Sequence, residues 1–432
     1  MSGLGYINGN LSEVPSAFGG ETVNVGGVVY GWSDALGRYV PTSRATTRRP
    51  GVCASRTLGG TGTALTGQQS CLQQTPAQGA FSGIIPFWVN LDTAAAKAFS
   101  LSYVAAAPTD GNDGALLTWI AATVGGAAGG TIPQATGSGA DRSGGVLFGD
   151  HIPLRSIART DIPANPPLML SRTLYPAGIT PMAWGTGKLL AMATASGLEY
   201  KARTTTSDVV TVPTTSYPPI ATAGAGSQWH MGVKFCYDGR ALSVAVPGDS
   251  TRSGTGSSAD YYAGIDEAAR LARVDGKIII EPAKWAIPSQ TNAGMVRNVR
   301  AIIAASVRPD VILIPTWSTN DGILAGAFVL GMVTALMLAR ECEDAGITPI
   351  LLTPPPSVAI TAGAVTTLWV NHRNAVLALA NDYYVLDCYR DLIDPALPGR
   401  FLSALSADGY HPNDAGYALE GSATYSFLLE RF

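Results

Sequence analysis

The sequence predicts a chain in two parts: a mainly β, sandwich-like region, then an α/β domain whose parallel sheet is covered by helices on both faces. Three observations lead there. Charge is unevenly spread: residues 1–235 carry 14 Lys/Arg and 11 Asp/Glu, whereas residues 236–432 carry 14 and 20 in a shorter stretch. The first part is rich in Gly, Ala, Thr and Ser, and its short apolar runs are separated by turn residues, the pattern of small antiparallel strands. In the second part apolar runs alternate with helical stretches, and runs so uniformly apolar belong to strands buried on both faces. The divisions that follow are 1–80, an N-terminal irregular or β segment; 81–238, a β-rich accessory domain; and 239–432, the α/β domain.

In the first part the strand-like runs are IIPFWVNL (84–91), KAFSLSYVAA (97–106), LMLSRTLY (168–175) and SDVVTVP (207–213). The run 115–124, ALLTWIAATV, fits either a helix or a buried strand, because periodicity does not separate the two over so short a length. The glycine-rich stretch 125–145 reads as a flexible loop and lacks the G-x-G-x-x-G spacing of a phosphate cradle. Five of the eight tryptophans lie in this part (Trp32, Trp88, Trp119, Trp184, Trp229). Exposed indoles stack on sugar rings, and buried ones are simply core.

In the second part the strands are expected at 241–246, 277–281, 310–315, 347–353 and 383–387. Helices are expected at about 258–273, 293–306, 322–345, 366–381 and 413–430. The stretch 322–339 is 18 residues long with Thr334 its one polar residue, the lower limit for spanning a bilayer. Its position between two strands and its acidic exit (Glu341, Glu343, Asp344) point instead to a helix buried against the sheet. No membrane span is expected. The N-terminus shows no basic region followed by an apolar one, so no secretory signal is expected either, and virion-associated and cytoplasmic locations both stay open.

Composition narrows the function. With 432 residues, 46% hydrophobic and 14% charged, the chain has material for sizeable cores and is not a disordered protein. A net charge of −3 with no Lys/Arg run beyond two argues against a nucleic-acid partner. Five scattered cysteines form no paired C-x-x-C, and no His/Cys/Asp/Glu cluster has metal-ligand spacing, so neither a metal nor a cofactor is expected. Cys53 and Cys71 fit either a disulfide or two free thiols. Cys236, Cys342 and Cys388 read as core.

Reactive groups of an open parallel sheet sit at the carboxyl ends of its strands. After the first strand comes Gly248-Asp249-Ser250, a tight turn that exposes a hydroxyl at a helix start, though the same composition also makes ordinary capped turns. After the third comes Ser318-Thr319-Asn320-Asp321, in which Asn320 is either an amide donor for an oxyanion or a helix cap. Just before the last helix, Asp408-Gly409-Tyr410-His411 lets the carboxylate hold one ring nitrogen of His411 and leaves the other free to take a proton. The remaining histidines, His151, His230 and His372, have no such nucleophile beside them and read as structural.

These three pieces, in this order over residues 240–432, resemble the SGNH (GDSL-type) hydrolase family. The resemblance implies a three-layer, flavodoxin-like α/β domain with Ser250 as nucleophile, His411 as general base and acid, and Asp408 orienting the histidine. It also implies an oxyanion hole made by the N–H groups of Ser250 and Gly294 and by the Asn320 amide. Two positions depart from the family pattern: Ser318 stands where the family has glycine, and Thr251 where it has leucine. Asp249 and Asp321 are expected to fix their loops rather than react.

A β module beside such a domain is similar to carbohydrate esterases, among them deacetylases of bacteriophage tail proteins. The expected substrate is therefore an ester, an O-acetylated glycan foremost. The alternatives are a lipid or short-chain esterase with a merely structural β domain, and a virion or cell-surface glycan-binding adhesion protein with weak or lost catalysis. Whether the chain forms a homo-oligomer is left open.

Overall fold

The computed structural model describes residues 232–432, apart from 238, 259–261, 306–307 and 362. Before them it describes 22–25, 28–33, 38–41, 49–52, 69–77, 79–90, 94–107, 118–141, 143, 145–157, 168–175 and 201–205. The expected strand at 207–213, together with Trp184, Trp229, His230 and Cys53, lies outside the described residues.

The described residues before 238 form antiparallel sheets. One joins strands Gly145–Phe148, Phe81–Asn90, Gly232–Tyr237 and Arg49–Val52 in that order, and a second joins Lys201–Thr205, Gln69–Pro76, Leu168–Tyr175, Leu101–Ala107 and Ile120–Ala121. Strands from before residue 81 thus pair with strands from after it, so the sheets run across the boundary expected there. The ambiguous run ending at Val124 forms short strands, Ile120–Ala121 and Thr123–Val124, and the second of these turns back onto Ala127–Ala128. The glycine-rich stretch that follows is therefore not one loop; it supplies this hairpin, strand Gly130–Ile132 and a 3-10 turn, Gly139–Asp141. Trp88 is fully buried on Phe99 and belongs to the core.

From Ala241 the pattern changes. Strands β1 (Ala241–Gly248), β2 (Ile279–Ala286), β3 (Val311–Pro315), β4 (Thr348–Leu352) and β5 (Tyr384–Leu386) make one parallel sheet in the order β2-β1-β3-β4-β5. This is the flavodoxin-type order, whose switch point falls between β1 and β3. The helices are α1 (Ser250–Ser253), α2 (Gly264–Asp275), α3 (Asn292–Ala304), α4 (Ala325–Asp344), α5 (Ala364–Ala378) and α6 (Asp414–Arg431). Every residue of β1, β3 and β4 is buried, as strands covered on both faces require.

Strand β2 departs from expectation by running on to Ala286 through Glu281, Pro282 and Lys284. It is an edge strand, where a proline costs no ladder bond. Its charged side chains are met inside: Lys284 Nζ lies 2.6 Å from Asp266 Oδ2, both side chains being fully buried, and the Tyr237 hydroxyl donates to Glu281. The Tyr237 bond also joins the two parts of the chain. One continuous apolar core contains Phe81, Trp88 and Phe235 from the antiparallel sheets together with Val244, Ile280 and Leu313 from the parallel one.

Helix α4 is buried on one face only. Ala335, Leu338, Ala339 and Cys342 pack toward the sheet, whereas Val329, Leu330 and Val333 are 57–64% exposed, as is Leu324 just before the helix at 72%. The helix is buried against the sheet as expected, and its second face is left uncovered among the described residues. By length and composition α4 is apolar enough to cross a membrane, and 39% of its most apolar window is buried.

Candidate active site

The turn after β1 is shaped by Gly248, whose φ of +147° is open to glycine and whose Cβ, if present, would lie 2.5 Å from Arg252 Cγ. Asp249 then caps the four-residue helix α1, its Oδ1 accepting from the Thr251 N–H at 3.0 Å. This lifts Ser250 to the first position of the helix, half-buried, with its hydroxyl out of the sheet. Helix α1 is anchored from below. Arg252 pairs with Glu420 of α6 at 2.8 Å, both buried, and stacks over the Tyr389 ring at 4.8 Å. The Tyr417 hydroxyl, also on α6, donates to the carbonyls of Thr251 and Thr255.

Helix α6 also fixes the other half of the site, because the turn carrying Asp408 and His411 leads directly into its N-cap, Asn413. Asp408 Oδ1 accepts from the N–H groups of Tyr410 and His411, both at 2.8 Å, and Oδ2 lies 2.6 Å from His411 Nδ1. The other ring nitrogen, Nε2, lies 2.8 Å from Ser250 Oγ. With Nδ1 donating to the carboxylate, Nε2 is left as acceptor for the serine proton. Burial raises the Asp408 carboxyl, but the bonds from the His411 ring and from the two N–H groups outweigh it and hold the group below the usual carboxylate range. Gly256 lets this turn approach α1: a Cβ there would lie 2.8 Å from that of His411.

The structure therefore brings Ser250, His411 and Asp408 together. It places Gly294 differently from what the sequence spacing implied. Gly294 lies inside the first turn of α3, and the space a Cβ would need is filled by Asp141 and Gln290. The residue in a glycine-like conformation after β2 is Ser289, the one non-glycine residue with positive φ (+66°) among those described. Its loop is tied to the nucleophile turn by the Ile287 N–H, which donates to the Gly248 carbonyl at 2.9 Å. Neither the Ser250 nor the Ser289 N–H has an acceptor among the described residues. Sequence reasoning passed over Ser289 because a left-handed serine leaves no mark in the sequence.

Asn320 sits in the 3-10 turn Thr319–Asp321 after β3. Its amide donates to the Gln290 carbonyl at 3.0 Å and makes a longer contact, 3.3 Å, with Ser318 Oγ. Ser318, the departure from glycine, uses its hydroxyl as a tie: it donates to Asp249 and accepts from the Asn320 N–H. Asp321 accepts from the Asn292 N–H at the start of α3, and burial, with Asp141 and Asp249 near by, pushes its carboxyl up to about 6. Asp249 and Asp321 thus both hold loops.

The other candidates lie apart. His372 is buried against Thr316, and burial lowers it to about 4. His151 is exposed beside Gly83. Cys236, Cys342 and Cys388 are buried free thiols. Among the described residues no group of His, Cys, Asp or Glu has the arrangement of a metal site.

Parallel order 2-1-3-4-5, a serine at the end of β1, an asparagine after β3 and a linked His-Asp before the last helix make the arrangement that the resemblance to SGNH (GDSL-type) hydrolases implies. Comparison with solved structures finds proteins similar to part of the chain. An acetyl xylan esterase from Geobacillus stearothermophilus matches at 18% identity over 43% of this chain and 94% of its own, with a TM-score of 0.34. A lipase/acylhydrolase from Enterococcus faecalis matches at 21% over 44% and 96% (TM-score 0.33), and a GDSL-like lipase from Bacteroides thetaiotaomicron at 16% over 43% and 87% (0.32). No protein-family model and no curated protein matches the sequence.

Proposed function

We propose that the α/β domain hydrolyses carboxylic esters by two-step acyl transfer, with O-acetyl groups of a carbohydrate as the substrate. The observation that carries the reaction is the unbroken path from Asp408 through His411 to Ser250, with links of 2.6 and 2.8 Å. His411 Nε2 takes the Ser250 proton as Oγ attacks the ester carbonyl. The same proton then goes to the departing alcohol, and water repeats the sequence on the acyl-enzyme. The oxyanion is held by the N–H groups of Ser250 and Ser289 and by the Asn320 amide, once that amide gives up its long contact with Ser318. Removing one such donor costs on the order of 10²–10³ in turnover.

For the substrate, the support is the β region beside the α/β domain, an arrangement similar to that of carbohydrate esterases. A second reading has its own observation. The exposed apolar residues Leu324, Val329, Leu330 and Val333 begin three residues beyond Asp321 and suit hydrolysis of longer acyl esters at a lipid surface. Acetate release from an O-acetylated glycan, measured beside p-nitrophenyl esters of increasing chain length, separates the two. Acetyl preference supports deacetylation, and faster cleavage of long chains supports the lipid reading. Ser250→Ala losing all turnover while keeping the fold supports the nucleophile; wild-type rates in that variant sink it.

A further inference from the structure

The loop that follows β2, residues 287–291, is held from two sides. From within the α/β domain, the Gln290 carbonyl accepts from the Asn320 amide, and the Gln290 side chain accepts from Asn298 Nδ2 at 3.0 Å. From the other side comes a residue of the antiparallel region, 150 positions earlier in the chain. Asp141 Oδ1 accepts from the Thr291 N–H at 2.8 Å, and Oδ2 accepts from the Thr291 hydroxyl at 2.9 Å. The Asp141 carbonyl in turn accepts from Arg297 Nη1 at 2.9 Å. The fit is close, since a Cβ on Gly294 would lie 2.6 Å from Asp141 Oδ1 and 2.7 Å from its Cα. The site also has a firm base: the short turn bearing Asp141 belongs to a region that shares the hydrophobic core of the parallel sheet.

Thr291 is the N-cap residue of α3, yet its hydroxyl makes no cap bond to the helix and donates instead to Asp141. The geometry therefore fixes the end of the loop through the antiparallel region as well as through α3. Two residues upstream lies Ser289 in its left-handed conformation, which persists only where the surroundings over-determine it.

We infer that Asp141 is a positioning residue for the oxyanion loop, so that the β region is a working part of the catalytic site and not a separable module. This rests on the esterase reading above. Asp141 does not reach the reacting atoms. It sets Thr291, and through the backbone Gln290 and Ser289, at the place from which an N–H meets the developing negative charge. Displacement of such a donor by about 1 Å costs up to about 10²-fold.

The test uses the full chain, p-nitrophenyl acetate and a boronic acid inhibitor, whose tetrahedral adduct on the serine reads the oxyanion donors. Its inhibition constant does not depend on what fraction of a preparation is folded. Asp141→Ala is expected to raise that constant and lower kcat by about 10- to 100-fold, with KM within twofold. Asp141→Asn keeps an acceptor for the Thr291 N–H and is expected to stay within about threefold of wild type. Should Asp141→Ala fail to fold, Thr291→Val, which removes only the hydroxyl link, is expected to raise the inhibition constant several-fold. Wild-type values of kcat and inhibition constant in Asp141→Ala, or in Thr291→Val where the former does not fold, overturn the inference. Ser250→Ala in parallel separates the two failures: if it too retains turnover, the esterase reading is what has failed.

Discussion

Replacing Asp408 by Asn isolates the contribution of one proton's position. In the structure Oδ1 takes the two backbone N–H bonds that shape the turn, and Oδ2 alone faces the His411 ring. An asparagine whose oxygen occupies the Oδ1 site keeps both backbone bonds, so the turn and α6 should stay in place. Its NH₂ group then faces Nδ1 and can only donate to it. The ring proton is forced onto Nε2, where it points at Ser250 Oγ and cannot accept the serine proton. The same change in a serine-protease triad lowers kcat by about 10⁴, which corresponds to about 5.4 kcal/mol of barrier. The stability change should stay near 1 kcal/mol, the scale of a single hydrogen bond. Steady-state hydrolysis of p-nitrophenyl acetate beside thermal melting reads both quantities. An Asp408→Asn enzyme with more than a tenth of wild-type turnover would refute the argument; so would a loss of activity that merely tracks unfolding.

Other consequences follow from the packing and the charges. Glu420→Ala strands the buried Arg252 beneath the nucleophile turn and should cost about 3–5 kcal/mol in urea denaturation; an effect below 1 kcal/mol would mean that the pair does not anchor α1. Lys284→Met removes the ammonium that faces the fully buried Asp266 carboxyl and should destabilise by a similar amount, read the same way. Asp321 is raised to about 6 in the folded chain, so the native state holds its proton more tightly than the unfolded state does, and its contribution to stability falls as pH rises from about 4 to 6. Asp321→Asn removes that titration. Relative to wild type the variant should therefore gain stability between pH 4.5 and 7.5, and a gap constant with pH would contradict the assignment. The lowered Asp408 carboxyl acts in the opposite sense: its contribution is present above the ordinary carboxylate range and is lost as acid protonates it.

The parallel sheet was readable because its strands are buried on both faces and their apolar runs say so. β1, β3 and β4 fall within one or two residues of the runs that announce them. β2 runs five residues beyond the apolar run that ends at Glu281, and nothing local to Pro282 and Lys284 reveals that Asp266 is buried beside Lys284. The serine, histidine and aspartate were legible because each needs a particular residue type, the serine in the turn after a strand and the aspartate and histidine three residues apart before the last helix. The oxyanion loop was not, because its chemistry is carried by backbone, and backbone geometry is set by neighbours as distant as Asp141. Helix α4 was legible as a helix against the sheet, but its exposed face was not, because an apolar sequence announces a preference for burial and not which of its faces the fold covers.

The most direct test of the account is the mass of the enzyme after reaction with a fluorophosphonate ester, which transfers its phosphonyl group to an activated serine with loss of fluoride. One adduct per chain is expected, on the peptide that contains Ser250, absent from Ser250→Ala and formed far more slowly in His411→Ala. An adduct on another residue, or equal labelling in the Ser250→Ala chain, would contradict it.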